Sequence, residues 1–332
     1  MTGGRSERGV ALVLVLWIIL VLSLLISGFA FTMHVETQVA SFGRKQIKAE
    51  ALARSGVELA RMQLILAEKS VTNMGFDARG QAWATNEFYV DHELGEGRLN
   101  VQVTDEESKL PLNKLAEDQL KRLLHLLDVE SADADVIVDS ILDWREPGDL
   151  HRLNGAKSDY YQSLSPPYMA KGGPFERIEE LLLVRGVTRE LYDGTGSETN
   201  DTPRPKLKDL LTTMSSGLVN VNTATRPVLQ VLLGLDDVRA DALLAIRDGS
   251  DNIAGTDDDH PFRSVGEFMA QTGAVNKQIQ SQLAALLTVK SSFFTVKSTG
   301  EVGGVKRTVT AVLRRQGELV QPISWTEAPG GG

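Results

Sequence analysis

Residues 10–33 read VALVLVLWIILVLSLLISGFAFTM, an apolar run without a charged side chain, preceded by Arg5, Arg8 and Gly9 and followed by His34 and Glu36. At ~1.5 Å per residue, a helix of this length exceeds the ~30 Å hydrocarbon core of a bilayer, so the run reads as a membrane-crossing helix. Both arginines lie on the short amino-terminal side, which sets that end in the cytoplasm and the bulk of the chain across the membrane. The alternative is a cleaved secretory signal. Such signals have an apolar core of about 7–15 residues and a small-residue A-x-A site, whereas this run is longer and no A-x-A closes it.

Helical patterning continues past the span. From Val35 to about Lys69 there is no proline, and Val35, Val39, Phe42, Ile47, Ala51, Val57, Ala60 and Leu64 recur at helical spacing with charges between them. Gly43 and Gly56 weaken this pattern without ending it. The simplest reading is one long helix, its first half embedded in a membrane and its second half packed on a soluble domain.

Composition narrows the function classes. The 332 residues carry a formal net charge of −9 and no cysteine, with 42% hydrophobic and 24% charged residues. The absence of cysteine excludes disulfides, thiol catalysis, iron–sulfur clusters and zinc–cysteine sites. Mean hydropathy of −0.12 excludes a polytopic membrane protein. The acidic balance argues against a dedicated nucleic-acid binder. Of the five histidines, His125 in KRLLHLLDV reads as a helix-face residue and His260 before Pro261 as a loop residue. No H-E-x-x-H, G-x-S-x-G, Walker A loop or G-x-G-x-x-G occurs, so nothing points to an enzyme.

Strand-like segments flank a long helical stretch. Phe88–Val90 and Leu99–Val103 alternate around a turn at Gly95–Gly97, and Phe294–Ser298 and Arg307–Leu313 flank glycines at 300–304. Between these pairs, about 112–287 reads as helical. The expected fold class is therefore α+β, an α/β frame carrying an inserted all-α domain.

The short basic leader ending in Arg8-Gly9, the apolar helix and AEALARSGVELA (Ala49–Ala60) together resemble the type IV pilin-like proteins. This resemblance implies that a prepilin peptidase cuts between Gly9 and Val10 and that the new amino terminus is methylated. The fifth mature position is then Leu14, where most pilins and pseudopilins have glutamate. The minor pseudopilin K subfamily of type II secretion systems lacks that glutamate. A carboxylate in an apolar filament core is tolerable only when paired. By the family account its partner is a neighbour's free amino terminus, so an apolar Leu14 fits a subunit at a filament tip; equally, Leu14 reads as one more lipid-facing residue.

Two further segments are similar to that subfamily: LDWREPGDLHRLNGAKSDYY (Leu142–Tyr161) and GLVNVNTATRPVLQVLLGL (Gly217–Leu235). In the first, Lys157 stands where members often have glutamate and Gly148 where aspartate is common. The resemblance implies a leader (1–9), a transmembrane segment (10–33), the rest of the helix with the first pilin-like strands (34–108), an inserted helical domain (109–289) and carboxy-terminal strands (290–332). It implies an inner-membrane protein with its bulk in the periplasm. Its partners would be the minor pseudopilins I and J, the pseudopilus, the prepilin peptidase and, at the tip, secreted substrates or the secretin. A minor type IV pilin is a related alternative.

The same internal segments raise two other readings. Asn222-Thr223-Ala224 can cap a helix through Leu232, followed by Gly234 and a second helix Val238–Arg247, which is similar to a DNA-binding helix-hairpin-helix. FERIEELLLVRGVTRELY (Phe175–Tyr192) reads like another half of such a unit. The turn Gly234-Leu235-Asp236-Asp237 lacks a second glycine and sets carboxylates where phosphate would come, and the few arginines are outnumbered by aspartates. A helical module for protein contacts is the favoured reading. Two acidic segments are candidate calcium loops: Asp143, Glu146, Asp149 and Asp159, and a glycine-bearing loop with Asp248, Asp251, Asn252, Asp257, Asp258 and Asp259. Neither has EF-hand spacing, and solvated acidic loops are the alternative; some members of the resembled subfamily bind calcium in the inserted domain. Lys157 counts against the first segment. No cofactor is required by either reading, and calcium would be structural.

Overall fold

The computed structural model describes residues 6–70, 75–86, 89–194, 205–273 and 277–330. The long helix is present as α1 (Ser6–Lys69), followed by α2 (Ala82–Thr85), β1 (His92–Leu94) and β2 (Gly97–Asp105). The chain then leaves the frame. It runs through β3 (Leu110–Pro111), α3 (Glu117–Leu126), α4 (Ser131–Arg145), α5 (Ser158–Gln162), α6 (Arg189–Asp193), α7 (Leu207–Leu210), β4 (Leu211–Thr212) and β5 (Val219–Asn220). It continues through α8 (Arg226–Leu233), α9 (Asp237–Arg247), α10 (Val265–Gln271), α11 (Lys277–Ala284) and β6 (Leu287–Thr288). Finally β7 (Phe293–Val302), β8 (Val305–Gln316) and β9 (Leu319–Pro329) complete an antiparallel sheet of order β1-β2-β7-β8-β9.

Asp105, the last residue of β2, pairs with Phe294 near the start of β7. The insertion therefore leaves and re-enters the frame at neighbouring strand ends. Its two ends are already close, so a large domain is accommodated there without disturbing strand pairing. Two hydrophobic cores result. One unites α1 with the sheet through Val57, Leu64, Val101, Phe294, Val296, Val309 and Leu313. The other fills the insert around Leu120, Leu124, Ile141, Trp144, Tyr161, Leu229 and Phe268. The parallel ladders β3–β4 and β5–β6 tie distant parts of the insert together.

The stripe that α1 lays on the sheet differs from the sequence expectation. Ala49, Ala53, Val57, Ala60 and Leu64 are fully buried, whereas Val35, Val39, Phe42, Ile47 and Ala51 are exposed. Close approach explains the difference. A Cβ on Gly300 would lie 2.2 Å from the Ala49 carbonyl oxygen, and one on Gly56 2.2 Å from Ser298 Oγ. Beside Gly56 and Gly300 only small side chains fit between helix and sheet, so Ala49, Ala53 and Gly56 mark the contact there, while Val57, Ala60 and Leu64 of the expected stripe carry it further along. Gly300 consequently sits within β7, and the turn itself is Gly303-Gly304.

The first strand also begins later than expected. Tyr89 and Val90 lie outside any strand, Phe88 falls outside the described residues, and the strand is His92–Leu94. Tyr89 is buried against the frame core, so its apolar character serves packing rather than strand alternation. His125 lies exposed on α3, and His260 is in a loop.

Candidate functional site

The stem supplies the first functional surface. The Gly9–Val10 bond lies within α1, and from Val10 to Met33 the large apolar side chains are exposed, Leu14 at 57%. Among the described residues one helix, Val10–Lys69, is long and apolar enough to cross a membrane, with a mean hydropathy of 3.1 in its most apolar window. The exposed apolar surface continues beyond the span through Val35, Val39, Phe42 and Ile47.

A buried acidic junction fixes the insert to the distal end of that stem. Three successive carboxylates, Asp105, Glu106 and Glu107, each hold both parts. Asp105 accepts hydrogen bonds from Ser291 Oγ at 2.6 Å and from Thr223 Oγ1. Glu106 accepts from Thr212 Oγ1 at 2.6 Å, Thr295 Oγ1 at 2.7 Å and Lys109 Nζ at 2.9 Å. Glu107 accepts from the amides of Ser292, Phe293 and Ser216. Asp77 is paired with Arg315, both 2% exposed, and also accepts the Ser291 amide at 2.7 Å. Arg315 ends the inward-facing row Val309, Ala311, Leu313, Arg315 of β8, so strand periodicity places its charge at the junction. Burial, followed by repulsion from Glu107, pushes the Asp105 carboxyl up to about 7. Glu68 in the last turn of α1 meets Lys290 at 2.7 Å. None of these junction carboxylates was singled out by sequence reasoning. EES after an alternating strand looks like a solvated turn, and only the return of residues 289–295 to the same place buries it.

The helix-hairpin-helix segment is present but begins differently. The helix starts at Arg226 with Thr225 as N-cap, while Asn222 and Thr223 are spent on tertiary bonds to Phe262 and Asp105. Gly234 closes α8 in the left-handed conformation and Asp236 caps α9. The equivalent half around Gly186 is a 3-10 turn, Ile178–Leu183, followed by α6. Arg226 is paired with Asp237 and Asp241, Arg239 with Asp236, and Arg247 is buried on Asp248 and the carbonyls of Val221 and Ala224. The arginines that phosphate binding would need are thus committed to internal partners.

The acidic segments are arranged as follows. Asp143 is buried and bonded to Arg152, whereas Asp149 and Asp159 are exposed. In the second segment Asp248 is paired with Arg247, Asp251 accepts the Ile253 amide, and Asp257 is exposed. Asp258 accepts the amide and hydroxyl of Ser250 and the hydroxyl of Thr256, bonds that pull its carboxyl down to about 2. Asp259 accepts the Gly255 amide. No group of three or more histidine, aspartate or glutamate side chains gathers around a metal position among the described residues. In the first segment Arg152 takes the Asp143 and Glu146 carboxylates, an arrangement that does not fit a calcium ion there; in the second, Asp248 faces Arg247 while Asp251, Asp258 and Asp259 accept amides or hydroxyls.

Comparison with known proteins follows the same division of the chain. Two family models, both described as type II secretion system (T2SS), protein K, match residues 97–195 and 219–290, together just over half the chain. The chain belongs to the type II secretion system protein K family. The protein K of Aeromonas hydrophila is 28% identical over 95% of both chains, and that of Pectobacterium carotovorum 26% identical over 96% of this chain and 95% of the relative. A chain of the crystal structure of the GspK-GspI-GspJ complex from enterotoxigenic Escherichia coli superposes with a TM-score of 0.70 at 22% identity, covering 89% of this chain and all of the other. That likeness extends to the frame with its insert. The first protein K match begins at Gly97, where β2 starts, and the second ends at Lys290, the residue that meets the stem's Glu68. The family is that of a secretion-apparatus component and carries no enzyme name.

Proposed function

We propose that the chain is the minor pseudopilin at the tip of a type II secretion pseudopilus, where it initiates and caps assembly for export of folded proteins across the outer membrane. The observation that carries this reading is the position of the insert. It joins the frame beside the distal end of the stem, where Lys290, just after the insert, meets Glu68 about 50 Å of helix beyond the end of the apolar run at Met33. A filament whose subunits pack stem to stem would meet a bulky domain on this subunit's distal face, and no further subunit would stack there.

The amino terminus sits in the cytoplasm until prepilin peptidase cuts after Gly9, with the periplasm receiving the insert. Val10–Met33 holds the protomer in the inner membrane and then becomes lateral packing surface in the filament. The transfer costs little, because one apolar environment replaces another and side-chain packing supplies specificity. The exposed residues Val35, Val39, Phe42 and Ile47 extend that packing surface past the bilayer. The similar solved assembly contains GspI and GspJ, and the I and J pseudopilins of the same system are the proposed partners here. Secreted substrates or the secretin would meet the insert.

Co-expression of the tagged full chain with its cognate I and J pseudopilins tests this reading. Both should co-purify in detergent at equal stoichiometry. Recovery of a major pseudopilin crosslinked above the insert as well as below it would overturn the cap.

A further inference from the structure

The segment after α4 contains a cation of its own. Helix α4 ends at Arg145, and its last carbonyls have no partner within the helix. The chain doubles back through 146–157, and Lys157, only 3% exposed, places Nζ 2.6 Å from the Asp143 carbonyl oxygen and 2.5 Å from that of Glu146. The Asp143 carboxylate accepts Arg152 Nη1 and the Arg152 amide, both at 3.0 Å, and Arg152 Nη2 reaches Glu146 at 2.8 Å. Asp139 accepts the Asn154 amide at 3.0 Å. Gly155 packs so closely that a Cβ there would fall 1.9 Å from Asp143 Oδ2.

A divalent ion in such a place would draw carbonyl and carboxylate oxygens together. Here an ammonium group gathers the carbonyls and a guanidinium group gathers the carboxylates. The two positive side chains balance Asp143 and Glu146, so an added divalent ion would leave excess positive charge beside a buried lysine. The ammonium also sits at the negative end of a 15-residue helix, where a cation is favoured.

We propose that Lys157, with Arg152, is the built-in cation of this segment, serving the role of a structural divalent ion and keeping the 146–157 strap folded without metal. Hydrogen exchange on the full chain in detergent tests it. Peptides spanning 146–157 should exchange identically in calcium and in chelator. In Lys157→Met, which leaves the buried Asp143 carbonyl and the part-buried Glu146 carbonyl without the ammonium, the same peptides should lose protection about tenfold or more while β7 and β8 keep theirs. Faster exchange of the wild-type strap in chelator would overturn the proposal, as would unchanged protection in K157M. If K157M does not fold, the wild-type chelator comparison still decides.

Discussion

Replacing Asp105 by asparagine should convert a pH-dependent junction into a pH-independent one. The carboxyl is fully enclosed, lies beside Glu107 and Asp77, accepts from the Ser291 and Thr223 hydroxyls, the Asn220 side chain and the Glu107 amide, and makes no ion pair among the described residues. Its folded-state value of about 7 lies above the ordinary 3.8. Between those values the folded chain holds a proton that the unfolded chain has released, so the contribution to stability is complete below about pH 4 and is lost as pH rises through 7. Three pH units at ~1.36 kcal/mol each give a loss of roughly 4 kcal/mol across that window. Asparagine keeps the shape and an acceptor oxygen but has no charge to desolvate. Urea denaturation of the full chain in detergent, from pH 4 to pH 8, should show D105N close to wild type at pH 4 and more stable at pH 8. Parallel curves, or a D105N variant weaker at pH 8, would refute the assignment of burial as the dominant cause.

Other substitutions probe the remaining links. Gly56→Ala should destabilise the frame by about 1–3 kcal/mol, because its Cβ would meet Ser298 and Val101, whereas Gly43→Ala, with open space around it, should stabilise by up to about 1 kcal/mol; thermal melts of the pair should move in opposite directions. Arg315→Met leaves the Asp77 carboxylate buried without its partner, and chemical denaturation should show a loss of about 3–5 kcal/mol; a loss below about 1 kcal/mol would mean the junction readily admits water. Gly9→Val should leave an uncleaved precursor, read by intact mass, while the wild-type mature chain should begin at Val10; a wild-type mass retaining residues 1–9 in cells with active peptidase would refute the leader assignment.

The amino-acid sequence by itself determined the stem, strand β2, the β7–β8 pair and the protein family, because each is written in local patterning. An unbroken apolar run, period-two alternation in β7 and β8, and the Trp144 and Asn222 segments need no long-range information to be read. What only the tertiary structure decided is where close approach and burial fall. Gly56 and Gly300 look like interruptions until helix and sheet are brought together, and Ala49 and Ala53 rather than Ile47 and Ala51 face the sheet. Asp105, Glu106 and Glu107 look like a surface turn until residues 289–295, far along the chain, return to cover them. Asp143 and its neighbours look like a metal cluster until the backbone folds Arg152 and Lys157 onto them. In each case the environment of a side chain is set by residues remote in sequence, and charge or size alone does not reveal whether its partner will be water, an ion or another part of the same chain.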